Sequence, residues 1–169
     1  MTSSSKKPRM HPLVKDFENL YNTANPFMAK NVQFYPKGHY HIGCDLKVPS
    51  GTLIYAPTDG EIYKVESNPA KGNTCVFIFT DEKGVTWGLE LCHLTASYPI
   101  GKYKKGDTIA VSGNTGTATT APHLHFVMHW GALVRKNYQD ITGPSAVLDL
   151  VKRGKIINGF EYFKARIKK

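Results

Sequence analysis

Residues 75–94 read CVFIFT, DEKG, VTWGLELCHL. Two runs, 75–80 and 86–94, are dense in β-branched, aromatic and aliphatic residues, and the polar residues of 81–84 lie between them. Short apolar runs of this kind, bounded by Asp and Gly, read as strands joined by a turn. The same texture continues outward in both directions. Residues 52–56, 60–65, 108–112 and 123–130 read as further strands, and 57–60, 105–107 and 113–116 as turns. Many short strands with no helices between them predict antiparallel sheets, so the expected fold is mostly β, of the α+β kind.

Helical patterning is confined to the ends. Leu13, Val14, Phe17, Leu20 and Tyr21 recur at three- and four-residue spacing, which predicts a helix from residue 11 to about 23, with Pro12 in its first turn and Asn25-Pro26 ending it. A second short helix is expected over 145–152, stopped by Gly154. Asn158-Gly159, between Ile156-Ile157 and the apolar run 160–163, reads as a tight hairpin turn. Residues 1–10 read as a flexible leader and 11–169 as one domain, a size that supports a single core.

The formal charge of +9 is compatible with nucleic acid, an anionic membrane or an anionic wall polymer as partner. Neither a basic helix face nor paired aromatic ribonucleoprotein-type motifs occur, so no nucleic-acid partner is expected. No apolar run approaches the roughly 20 residues of a membrane span. The first ten residues are polar and basic with no apolar stretch behind the charges, which predicts synthesis in the cytoplasm without a standard export signal. The basic group Lys164, Arg166, Lys168 and Lys169 reads as a solvated tail. Cys44, Cys75 and Cys92 show no CxxC spacing, which argues against a ribbon-type structural zinc site, and free thiols fit a reducing compartment.

The chemistry-bearing residues lie in three places. His41-Ile42-Gly43-Cys44-Asp45 offers an imidazole and a carboxylate four residues apart, both acceptable to zinc. Pro122-His123-Leu124-His125-Phe126 places two histidines on one strand face, with Leu124 turned into the core. His93 closes the run Leu91-Cys92-His93-Leu94. A catalytic zinc keeps three protein ligands and an open position, and lowers the pKa of water there to about 7. Other groups must then move the proton and steady the developing oxyanion.

The chain resembles the lysostaphin-type, or LytM-like, zinc metallopeptidases. The resemblance rests on His41-Ile42-Gly43-Cys44-Asp45, on the stretch 51–60 (GTLIYAPTDG), on Leu91-Cys92-His93-Leu94, on Gly106-Asp107 with Ser112-Gly113-Asn114-Thr115-Gly116, and on Pro122-His123-Leu124-His125-Phe126. It spans roughly residues 35–130, in the family's order. It implies one zinc per chain, held by His41, Asp45 and His125 in a groove over the β core. His93 and His123 would be the catalytic pair, and Tyr35 or Tyr40 would approach the substrate. The implied activity is hydrolysis of peptide bonds in the stems or cross-bridges of bacterial peptidoglycan, as a lysin-like, phage-associated or released protein acting at the wall. The alternative is a non-enzymatic wall-binding or activator domain of the same fold. Paired histidines near glycine-rich turns also suit a sugar-uptake phosphocarrier, but such a protein has no need of a carboxylate at Asp45. Ala121, Val127 and Cys92 depart from the family's usual residues, Val127 standing where an acid is frequent, and these departures bear on the groove floor and substrate preference.

Overall fold

The computed structural model describes residues 9–30, 33–35, 37–134 and 143–167. Most of the expected leader, residues 1–8, lies outside them. The strands are β1 (Cys44–Leu46), β2 (Leu53–Tyr55), β3 (Gly60–Asn68), β4 (Gly72–Thr80), β5 (Thr86–Ser97), β6 (Gly101–Tyr103), β7 (Thr108–Ser112), β8 (Leu124–Trp130) and β9 (Ile156–Ile157). All pair antiparallel, in the order β1-β8-β5-β4-β3-β6, with β7 joining β2 to the second half of β5 and β9 on the edge of β8. The mostly-β, antiparallel expectation holds. The helices are α1 (Gly131–Val134), α2 (Pro144–Lys152) and α3 (Gly159–Ile167).

Sheet alternation decides which residues form the core. On β8, Leu124, Phe126 and Met128 are fully buried on one face, where they meet Leu89 and Leu91 of β5. The intervening residues 123, 125, 127 and 129 point to the other face, as period two requires. Against the core face of β8 packs α3, whose Phe160 and Phe163 join Phe17, Phe79 and Phe126 in an aromatic cluster. No helix among the described residues is long and apolar enough to cross a membrane.

Three expectations change. The helix predicted over 11–23 contracts to a single 3-10 turn, Phe17–Asn19. Leu13, Val14 and Phe17 are buried as the periodicity required, but the backbone finds its partners elsewhere. Tyr55 N–H donates to Leu13 O, Lys47 N–H to Leu20 O and Asn22 N–H to the carbonyl of Asp45, so the segment lies along the sheet. Tertiary hydrogen bonding overrides a local pattern that fits either conformation. Asn158-Gly159 is a helix start rather than a hairpin turn: Asn158 Oδ1 accepts from the N–H of Glu161 at 3.1 Å, an N-cap that opens α3. The basic tail, as far as residue 167, is therefore helix, with Arg166 lying 3.7 Å from the Tyr162 ring centroid and 2.8 Å from Glu82. The helix expected over 145–152 is present as α2.

Phe163 is fully buried with ring centroids of Phe17, Phe79 and Phe126 within 6.2–6.3 Å. Phe163→Ala should cost about 3–5 kcal/mol in urea unfolding. A loss below about 1 kcal/mol, the size of an ordinary surface change, would show that α3 is not part of the cooperative core.

Candidate metal centre

In the β1–β8 pair Asp45 stands directly opposite His125. Opposed residues on one face of an antiparallel pair have Cβ atoms about 4.5–5.5 Å apart, so strand pairing alone brings this carboxylate and imidazole together. His41 enters from the segment before β1, which is tied down on both sides: Met28 N–H donates to His41 O at 2.6 Å, and His41 N–H to Ala29 O at 2.8 Å. Three donor atoms then converge. His41 Nε2 lies 3.4 Å from Asp45 Oδ1 and 3.2 Å from His125 Nδ1, which is itself 2.9 Å from Asp45 Oδ1. With bonds of about 2.0–2.1 Å, the corners of a zinc tetrahedron lie roughly 3.3 Å apart. The three buried side chains thus match one face of such a tetrahedron, and the donor set fits a divalent metal.

The outer atoms of this set are also engaged. His41 Nδ1 is 3.1 Å from the carbonyl of Pro26, which can only accept, so Nδ1 carries the proton and Nε2 presents its lone pair. Asp45 Oδ2 accepts from Asn25 Nδ2 at 2.8 Å. Contacts of this kind orient a ligand and fix its tautomer. Gly43 leaves room for the His125 ring: a Cβ there would lie 2.5 Å from Cε1 and 2.8 Å from Nε2 of His125. Cys44, between His41 and Asp45 in sequence, turns away into the core, where Phe160 N–H approaches its sulfur at 3.4 Å, and burial pushes its thiol up to about 11.

His93 and His123 stand beside the trio. Their rings are 4.9 Å apart, the His93 ring is 6.2 Å from that of His125, and His123 Nε2 is 3.8 Å from Asp45 Oδ1. His93 Nδ1 is 2.7 Å from the carbonyl of Thr115, and His123 Nδ1 is 2.9 Å from that of Ala121. Each Nδ1 therefore donates, leaving Nε2 as the acceptor. His93 reaches the groove through a bulge. Cys75 faces Leu91 while Asn73 faces Leu94, so β5 carries an extra residue, and His93 takes a left-handed φ of 59°. Strict alternation from Leu89 and Leu91 would send residue 93 into the core; the bulge re-aims it.

Burial pushes the Asp45 carboxyl up, but hydrogen bonds and charge from His125 and His41 outweigh this and hold it well below the usual carboxylate range. Burial lowers His93 and His125 against the opposing pull of the Thr115 carbonyl and of Asp45, so both are neutral at pH 7, the form in which imidazole donates a lone pair. Tyr35 lies edge-on to His41, with ring centroids 5.8 Å apart, and burial, reinforced by Asp45 and Glu90, raises its hydroxyl so that it remains a proton donor. Tyr40 lines the same groove, which encloses about 950 Å³. His39 also lines it, while His129 is fully buried. The structure thus brings together all seven residues named from the sequence. Asn25 and the carbonyls of Pro26, Thr115 and Ala121 had no sequence signal, since each lies far along the chain or acts through its backbone.

The profile for Peptidase family M23 matches residues 39–140. The chain belongs to this family. A peptidoglycan DD-endopeptidase of Vibrio cholerae, ShyC, is 33% identical over 131 residues, covering 78% of this chain and 29% of that protein. A zinc-containing peptidase of Vibrio cholerae superposes with a TM-score of 0.52 at 25% identity, covering 72% of this chain and 35% of its own. The catalytic domain of lysostaphin from Staphylococcus simulans shares the fold, with a TM-score of 0.60 at 22% identity over 88% of this chain and 95% of its own. The M23 chain described here spans 18–29% of the length of the curated relatives it matches.

Gly43→Ala should push the His125 ring out of register with Asp45 and lower affinity for a divalent metal by about tenfold or more, the range seen when a ligand's support is lost. Competition with a chromophoric chelator measures it, with circular dichroism to confirm the fold. Unchanged affinity would mean that His125 is not held from this side.

Proposed function

We propose that this M23 domain is a zinc-dependent endopeptidase that hydrolyses peptide bonds in bacterial peptidoglycan stems or cross-bridges. The observation that carries the reading is the convergence of His41, Asp45 and His125 at tetrahedral spacing, with the Nε2 atoms of two further histidines facing the same groove. Relatives named peptidoglycan DD-endopeptidase support the substrate class, and the zinc-containing neighbour supports the metal. The +9 charge favours contact with anionic wall polymers, in keeping with a lysin-like role.

In this reading His41 Nε2, Asp45 Oδ1 and His125 Nδ1 would hold zinc, which would supply a Lewis acid and lower the pKa of water toward about 7. The chain's own residues do the rest. His93 and His123, each anchored through Nδ1 to a carbonyl, present basic Nε2 atoms that accept a proton from the attacking water and return it to the leaving amine. Tyr35, kept protonated, is a hydrogen-bond donor for the oxyanion, and Tyr40 forms part of the wall along which the peptide lies.

His125→Ala should abolish both zinc retention and activity, whereas His123→Ala should abolish activity while most of the zinc remains, as read by metal analysis of the purified variants. Equal metal loss in the two would reverse the roles within the pair. The reading as a whole is tested by digesting peptidoglycan of several wall chemotypes with and without a chelator, and identifying released fragments by mass spectrometry. Chelator-sensitive release of cut peptides is the expected result; intact walls, despite one zinc per chain, would point to a binding or activating domain.

A further inference from the structure

The groove continues past the metal ligands onto a charged pair that the proposed mechanism does not use. Strand register fixes its position. Cys92 faces His125 and Glu90 faces Val127, so Glu90 stands two residues along the strand from the level of the ligands. That is about 7 Å, the length of two residues of an extended peptide lying in the groove. Position 127 is apolar, and β5 supplies a carboxylate at the same level. The side chain of Glu90 is 5% exposed and that of Lys71 is 28% exposed, with Lys71 Nζ 3.1 Å from Glu90 Oε1. A buried carboxylate needs such a partner. The consequence is that the partly exposed end of the pair is the ammonium.

That ammonium is also well placed. Lys71 belongs to the tip of the β3–β4 hairpin, where Asn68 Oδ1 accepts from the N–H groups of Ala70 and Lys71. The tip docks on the loop before β8 through Thr117 N–H to Pro69 O and Ala118 N–H to Ala70 O, both at 3.0 Å. Lys47 lines the same groove, and the acids there, Asp45 and Glu90, are engaged by histidines and by Lys71. Two lysines thus balance the two acids, and a divalent metal on the His41, Asp45 and His125 trio would leave the groove net positive toward a ligand.

We propose that Lys71, held by Glu90, is a specificity residue that takes a free carboxylate on the peptide within two residues of the scissile bond. The proposal rests on the peptidoglycan-hydrolase reading and deepens it. Cross-links built through a diamino acid that keeps its own carboxyl group meet this requirement; an all-glycine bridge does not. An ammonium–carboxylate contact in a partly desolvated groove discriminates against the neutral carboxamide, because the amide returns no charge for the water that Lys71 gives up.

The test uses two synthetic cross-linked stem peptides, identical except that the diamino acid carries a free carboxylate in one and a carboxamide in the other. The zinc-loaded protein should show a kcat/KM about tenfold higher for the carboxylate, the scale of one charged hydrogen bond. Lys71→Arg should keep the preference. Lys71→Met combined with Glu90→Gln, which leaves no buried charge unpaired, should erase it while both peptides are still cut. Calorimetric binding of the corresponding cleaved products should show the same preference without turnover. Equal cleavage of the two peptides by the unaltered protein, or a preference that survives in the folded double variant, overturns the proposal. If neither peptide nor any wall is cut, the hydrolase reading fails, and the product-binding preference still decides the role of Lys71: equal affinities overturn it.

Discussion

Everything in the site depends on the register of one strand. β8 sends Leu124, Phe126 and Met128 into the core and turns His123, His125, Val127 and His129 to the opposite face. Because the side-chain period is two, a slip of one residue against β1 or β5 would exchange the faces. It would drive His123 and His125 toward the aromatic cluster and expose Phe126. Such a slip costs the burial of three large apolar side chains, each worth about 1.5–3 kcal/mol, so the core is what holds the histidines in place. The metal site draws its geometry from hydrophobic packing on the other side of the same strand. The Asp45–His125 opposition and the seating of α3 on Phe126 are two views of this one constraint.

The second constraint runs against regularity. β5 pairs with β8 as far as Cys92, and with β7 from Leu94 onward, and His93 sits at the change of partner. A left-handed φ in a non-glycine residue is unfavourable and persists only where its surroundings over-determine it. Here His93 N–H donates to Lys71 O, its Nδ1 to Thr115 O, and Thr115 Oγ1 in turn to Leu94 O. These bonds fix the ring facing the groove, which a regular strand would have turned toward the core.

This contrast explains what could be read from the sequence. The strands, their antiparallel character, and the shared face of His123 and His125 follow from period-two alternation, which is local and survives folding unchanged. The convergence of His41, Asp45 and His125 was implied by the family resemblance, because His41 and Asp45 sit in one short segment and His125 in a paired motif. The placement of His93 was not legible, because a bulge depends on the register of three neighbouring strands. Nor was Asn25, which reaches Asp45 from 20 residues away in the sequence. The segment 11–23 carried a helical period that is equally served by a chain laid on the sheet, where only the burial of Leu13, Val14 and Phe17 is required. Asn158-Gly159 is ambiguous in the same way, since a residue that favours a hairpin turn also caps a helix; the apolar spacing of Phe160, Phe163 and Ile167 behind it was the signal that favoured the helix.

One loop contact connects the two ends of the groove. The β3–β4 hairpin tip, docked on residues 115–118, supplies the carbonyl that receives His93 N–H, and the loop it docks on supplies the carbonyl that receives His93 Nδ1. The same tip carries Lys71 to Glu90. Gly72 and Gly116 allow this docking: each has a positive φ, and a Cβ on either would collide with backbone across the contact. A change that loosens this contact would therefore move His93 and Lys71 together. The positions of the His93 ring and of the Lys71 side chain are coupled through this shared backbone, so separating them requires changing the Lys71 side chain while leaving its carbonyl in place.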